Sequence, residues 1–202
     1  MNKTVPDLTC NRRIFQSVVG LLALLSVSAR ADWLLDESRS DVQFLSVKNA
    51  SIAEVHHFSS LTGGINDDGI AQVVIDLDSV ETLIPIRNER MRKMLFETLQ
   101  FPAATLSVEV PDSLEALKAG ETAELDLKVN VALHGKTMAY DASLQATKLA
   151  NGSLEVNVLQ PLVVYAADFG LAGGVQALQQ IAGLNSISTA VPVTARLTFL
   201  PQ

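Results

Sequence analysis

Between Leu125 and Ala146 the apolar residues fall on every second position. Leu125, Leu127, Val129, Val131 and Leu133 alternate with Asp126, Lys128, Asn130 and Ala132, which is the period of a strand with one buried face. Gly135-Lys136 suits a two-residue hairpin loop, since glycine tolerates positive φ. Alternation resumes with Met138, Tyr140, Ala142, Leu144 and Ala146. Pairing His134 with Thr137 sets Leu133 opposite Met138, Val131 opposite Tyr140 and Leu125 opposite Ala146. Both apolar sets then share one side, and a one-residue slip would destroy the match. The hairpin predicts an antiparallel sheet with one wet face and one dry face.

The same period recurs along the chain. Val42, Phe44 and Ser46 alternate with Gln43, Leu45 and Val47, and Ala53 to Phe58 follows as a second strand. Leu61 to Ile65 is weakened by Gly63-Gly64 and predicts a bend or bulge. Ala71 to Leu77, Thr105 to Val110, Leu154 to Val158, Leu162 to Tyr165 and Val191 to Phe199 supply further strands. The period changes in two places. Met91, Met94 and Leu95 have helical spacing within Pro85 to Phe96, and Val175, Leu178, Ile181 and Ala182 have it within Leu171 to Leu184. Asp112-Ser113 can cap a short turn of helix running through Leu114 and Leu117. The expectation is an all-β, eight-stranded antiparallel barrel of lipocalin-like form with short helical excursions. Closure removes exposed edges, and eight strands leave room for side chains or for one small ligand.

Composition refines this picture. Arg12-Arg13 precede an apolar run from Val18 to Val27, and Ala29 and Ala31 are small residues suited to a cleavage site. Residues 1–31 are therefore expected to be a signal peptide, and 32–202 the barrel domain. The run is too short for a comfortable membrane span, although an uncleaved anchor is the alternative. Residues 1–31 hold Lys3, Arg12, Arg13, Arg30 and Asp7, so the remainder has 11 basic and 21 acidic residues, a net charge of −10. An acidic chain argues against a nucleic-acid partner. The single cysteine, Cys10, lies before the apolar run and leaves with it, so the mature chain forms no disulfide. An exported, cysteine-free domain fits a bacterial periplasm.

Candidate chemistry is sparse. His56 and His57 are adjacent on a strand and point to opposite faces, while His134 sits at a hairpin turn. No metal and no cofactor is expected, and the histidines are read as polar surface or turn residues. There is no Gly-x-Ser-x-Gly elbow, and Asp168-Phe169-Gly170 lacks the other elements of a kinase. It is better understood as a tight turn with Asp168 capping and Phe169 buried. The aromatic content of 5% and the single tryptophan, Trp33, weaken a carbohydrate-binding reading. A cationic cluster of Arg87, Arg90, Arg92 and Lys93 stands out on the acidic chain. It is either a solvated helix face or a rim around the entrance of a tunnel.

Four short motifs, in order along the chain, carry a family likeness. They are Trp33-Leu34-Leu35-Asp36 with Ser40-Asp41-Val42-Gln43-Phe44; Phe96-Glu97-Thr98-Leu99-Gln100-Phe101-Pro102; Val131-Ala132-Leu133-His134-Gly135; and Asp168-Phe169-Gly170. Together they resemble the YceI-like family. Arg39 stands where the family usually has histidine, and Ala166 where it usually has arginine. The resemblance implies a lipocalin-like barrel with an apolar tunnel for a polyisoprenoid, a quinone tail or a similar long-chain lipid. The lining candidates are then Phe44, Val129, Val131, Leu133, Tyr140 and Phe169, with Met91, Met94 and Phe96 at a lid. The alternatives are a structural or interaction barrel filled by its own side chains, and a lipid-modifying enzyme using His56 or His57 as base. The expected partner is an isoprenoid, quinone or fatty-chain ligand, and a homodimer is compatible with the sequence.

Overall fold

The computed structural model describes Met1, residues 33–114 and residues 116–202. Residues 2–31 of the expected signal peptide, Cys10 among them, lie outside the described residues. Twelve strands and two helices are seen among them. The strands are β1 (Trp33–Leu35), β2 (Asp41–Lys48), β3 (Ile52–Phe58), β4 (Leu61–Ile65), β5 (Ile70–Asp76), β6 (Val80–Glu81) and β7 (Ala103–Glu109). After them come β8 (Thr122–Leu133), β9 (Lys136–Lys148), β10 (Leu154–Val158), β11 (Leu162–Tyr165) and β12 (Ala190–Pro201). The helices are α1 (Pro85–Arg90), which runs on into a π-helical turn at Met91–Phe96, and α2 (Ala172–Ile181).

Neighbouring strands follow the order β1-β4-β5-β7-β8-β9-β10-β12, and β12 pairs back onto β1, so eight strands close a ring. All its pairings are antiparallel. The extra strands are continuations. β12 pairs with β10 and then β11 along one edge, and with β1 and then β2 along the other. β3 pairs β2 while β4, two residues further on, pairs β1. Gln160-Pro161 separates β10 from β11, as a residue without an N–H should.

The long hairpin corrects the expected register by two residues. Val131 faces Met138, Val129 faces Tyr140 and Leu125 faces Leu144, because the loop is His134-Gly135 and not Gly135-Lys136. Both loop residues have positive φ, 50° and 74°, the requirement of a tight type I′ turn. A slip of two returns every side chain to the same face, so the dry side is unchanged. Leu61 to Ile65 also differs from expectation, being a continuous strand and not a bulge. Its glycines permit close approach. A Cβ on Gly63 would lie 2.1 Å from the Gln72 carbonyl oxygen, and one on Gly64 would lie 2.2 Å from that of Trp33. Of the expected helix through Leu114 and Leu117, only a single turn at Asp112–Leu114 forms.

The helices cover one end of the barrel. There the β8–β9 turn meets the segment before α2, with His134 Nδ1 3.2 Å from the Phe169 carbonyl oxygen. The opposite end is closed by buried Trp33, Leu35, Leu114 and Phe199, with the Lys148 ammonium 3.9 Å from the Trp33 ring.

Candidate functional site: an apolar chamber under a helical cover

The inward positions of the strands do not meet in the middle. They surround a cavity of about 240 Å³, lined by apolar side chains apart from Ser107 and Thr194. That far exceeds the roughly 10–15 Å³ needed by one water, and a water there would find few partners. Small residues make the room: Ala71, Ala104, Ala142, Ala146, Ala166 and Ala195 all border it. A barrel filled by its own side chains is therefore not what forms.

Among the sequence-derived candidates, Phe44, Phe96, Val129, Val131 and Leu133 border the cavity. Phe44, Phe58 and Phe96 stack in series, with centroids 5.4 Å apart for the first pair and 5.9 Å for the second. Met91, Met94, Tyr140 and Phe169 do not border it. Met91 is buried in the core, and Leu95, not Met94, faces the chamber because the π turn shifts the helical phase. Phe169 is wholly buried between α2 and the hairpin and supports the wall from behind. Tyr140 lies on the inward face of β9, with its hydroxyl buried and unpartnered among the described residues. Burial first, and then the charge of Asp168, push its pKa up.

The cover is held by close backbone contact. A Cβ on Gly174 would come 2.6 Å from the Met94 carbonyl oxygen, so glycine lets α2 lie directly on the π turn. Leu171, just before α2, and Val175 within it join Leu95 and Phe96 in lining the chamber. Asp168 does not cap α2. It is exposed, and the turn is made by backbone bonds such as Leu171 N–H to the Ala166 carbonyl oxygen, at 2.8 Å.

A polar cluster adjoins the chamber behind Phe44. On β3, Glu54, His56 and Phe58 share a face, so His56 is buried, at 4% exposure, and is not the surface residue expected. Its ring lies edge-on to Phe44 at 5.3 Å, and its Nδ1 has no hydrogen-bond partner among the described residues. Desolvation, reinforced by the Arg87 charge, holds His56 below the ordinary histidine pKa. Lys48 and Arg87 both reach one Glu54 carboxylate oxygen at 2.8 Å, which keeps that acid ionised below the usual carboxylate range. Arg87 Nε remains buried without a partner.

The cationic cluster is less uniform than its sequence suggests. Arg87 is bound to Glu54 and to the Thr82 carbonyl oxygen, Arg92 donates to the Asp78 carbonyl oxygen at 3.0 Å, and Lys93 pairs with Glu89 at 2.6 Å. His134 joins three of the family motifs: its Nε2 is 3.2 Å from Glu97, its Nδ1 meets Phe169, and its ring packs on Phe101 at 4.2 Å. Each motif is visible as a string of letters, but their convergence is a property of the fold.

A closed antiparallel barrel with one apolar chamber inside and a helical cover outside defines a class of cavity-bearing barrels. The sequence matches the YceI-like domain over residues 33–199, and the chain belongs to the YceI-like family. A polyisoprenoid-binding domain from Saccharophagus degradans, implicated in plant cell wall breakdown, is similar at 38% identity. The match covers 86% of this chain and all of that one, with a TM-score of 0.83. BcnA of Burkholderia cenocepacia matches at 17% identity over 81% of this chain and 98% of its own, with a TM-score of 0.58. A Campylobacter jejuni YceI protein matches at 13% over 77% and 90%, with a TM-score of 0.54. The last two show the fold alone. A comparison with curated proteins finds no match. No helix among the described residues is long and apolar enough to cross a membrane.

Proposed function

We propose that this protein binds a long-chain lipid, a polyisoprenoid, quinone tail or fatty chain, in the barrel chamber, and that it acts as a carrier and not as an enzyme. The observation that supports this most is the chamber itself, an apolar volume left open by alanines at inward positions. Each buried CH₂ contributes about 0.8 kcal/mol, so ten methylenes supply roughly 8 kcal/mol without any polar contact. The likeness to a polyisoprenoid-binding domain at 38% identity points the same way. In this reading the tail lies against Phe44, Phe96, Val129, Val131 and Leu133, and access is from the helical end. In the cluster of His56, Arg87, Lys48 and Glu54, the unpartnered His56 Nδ1 and Arg87 Nε are the atoms that would meet the head group. Arg90, Arg92 and Lys93 form a cationic rim outside it.

Native mass spectrometry of gently purified protein tests the reading. A co-purified hydrophobic molecule, or stoichiometric uptake of added ubiquinone or isoprenol, is expected. Neither a bound species nor uptake would refute it. Export to a periplasm accompanies this proposal, because of the apolar run at Val18 to Val27 and the cysteine-free remainder. An intact mass starting at Asp32 checks the cleavage.

A further inference from the structure

The segment leading into α1 carries four consecutive exposed apolar residues, Leu83, Ile84, Pro85 and Ile86. Leu83 is 87% exposed, Ile84 43% and Ile86 52%. Leu83 also has a left-handed backbone, φ 62°, which an L side chain adopts only at a cost. This turn is firmly tied. The Glu81 carboxylate accepts the Leu83 N–H. Buried Thr82 donates its N–H and its hydroxyl to the buried Asn88 side chain. Arg87 binds the Thr82 carbonyl oxygen at 2.6 Å and holds the turn to β3 through Glu54. The polar groups are satisfied inward, and the leucine and isoleucines are what remains outside. A strained, well-anchored conformation that presents apolar side chains to water marks an interaction surface.

We propose that this turn docks the protein on an anionic lipid bilayer, with Leu83, Ile84 and Ile86 entering the interface. The occupant is argued from charge and from continuity with the chamber. With Arg87 bound to Glu54 and Lys93 to Glu89, residues 83–93 still present the unneutralised charges of Arg90 and Arg92, on a chain of net charge −7. An apolar tip flanked by cations suits the acyl boundary below and the anionic head groups around it. The same segment continues into Leu95 and Phe96, which line the chamber, so contact at the tip bears on the chamber's cover. The inference rests on the lipid-carrier reading, which supplies the reason to meet a bilayer.

The test floats the full chain with vesicles of phosphatidylglycerol and phosphatidylcholine, at low and high salt. In parallel, uptake of monomeric cis-parinaric acid is followed in vesicle-free buffer. Vesicle binding should weaken with salt. It should fall at least tenfold in the Leu83→Asp/Ile86→Asp variant, with cis-parinaric uptake unchanged. Leu83→Gly is the discriminating variant. Glycine accepts the left-handed conformation, so this protein should melt no lower than the parent and still bind vesicles less well. Parinaric uptake without vesicle binding would overturn docking and leave the carrier reading standing; vesicle binding without uptake would overturn the carrier reading. Undiminished vesicle binding by both variants would overturn the assignment of the turn. A parent dimer that dissociates on Leu83→Asp without any vesicle binding would make the patch a protein interface and overturn the proposal.

Discussion

Replacing Ala142 with leucine should strengthen the empty protein and weaken the loaded one. Ala142 is 3% exposed, pairs with Leu127 across the long hairpin, and borders the chamber. At roughly 24 cal/mol per Å³, a cavity of about 240 Å³ leaves on the order of 6 kcal/mol of packing unrealised. Leucine adds three carbons to that space. At about 0.8 kcal/mol each they should stabilise the ligand-free protein by up to ~2.4 kcal/mol. A ligand tail then loses the equivalent of three methylenes, so its affinity should drop roughly 50-fold for the same energy. Denaturant unfolding of delipidated protein reads the first quantity, and displacement of a fluorescent fatty-chain probe reads the second. Ala139→Leu is the control, because Ala139 is exposed on the other face of the same strand and should change neither. If Ala142→Leu lowers the stability of the empty protein and leaves affinity untouched, the space beside Ala142 is not available to a ligand and the reasoning fails.

Gly174→Val should lift α2 off the π turn, because its Cβ would sit 2.6 Å from the Met94 carbonyl oxygen; a loss of about 1–3 kcal/mol is expected. Hydrogen exchange should quicken at residues 91–96 and 172–181, and unchanged exchange there would refute the contact. His56 has a depressed folded-state pKa, so the unfolded chain takes up its proton first and stability falls as pH drops below about 6.5. The groups that set this shift are Arg87, Lys48 and His57, which lower the pKa beside desolvation, and Glu54, which raises it. His56→Phe should remove part of that slope, seen in denaturant midpoints at pH 7.5 and pH 5.5; equal slopes would count against a buried neutral imidazole. Changing Arg90, Arg92 and Lys93 together to glutamine should slow uptake of an anionic lipid at low salt and spare a neutral one, since exposed charges are screened beyond about 10 Å at 0.1 M salt. Equal loss for both ligands would mean that the segment shapes the chamber.

Strand alternation made the fold legible, for it reports directly which residues point inward. It placed Val129, Val131 and Leu133 on a dry face, and all of them border the chamber. The two-residue register error in the hairpin was invisible to that signal, because period two is blind to a shift of two. What decided the register was His134 accepting a left-handed backbone, φ 50°, a propensity weaker than that of the glycine beside it. The helical cover was harder for a related reason. Spacing of three and four located Met91, Met94 and Leu95 as a helix, but a π turn advances by more residues and turned Leu95 toward the chamber in place of Met94.

The polar part of the site was the least legible, and His56 shows why. As one of two adjacent histidines on a strand, pointing to opposite faces, it was expected to be a polar surface or turn residue. The structure turns it inward, since Phe58 and Phe44 share its side of β2 and β3. Its neighbours Glu54 and Lys48 then face inward too, and a strand that carries charge on its dry side cannot be covered by apolar residues alone. Arg87 supplies the cover from α1, 33 residues away in sequence from the carboxylate it meets. Had the end of the barrel been sealed for stability only, an apolar residue at position 56 would leave nothing unsatisfied, whereas a buried imidazole nitrogen and a buried guanidinium Nε without partners carry a desolvation cost. In the proposed carrier reading, a ligand that brought hydrogen-bonding atoms to the site would recover that cost. The same atoms that weaken the empty protein would thus select an amphiphile with a polar head over a plain hydrocarbon of equal length.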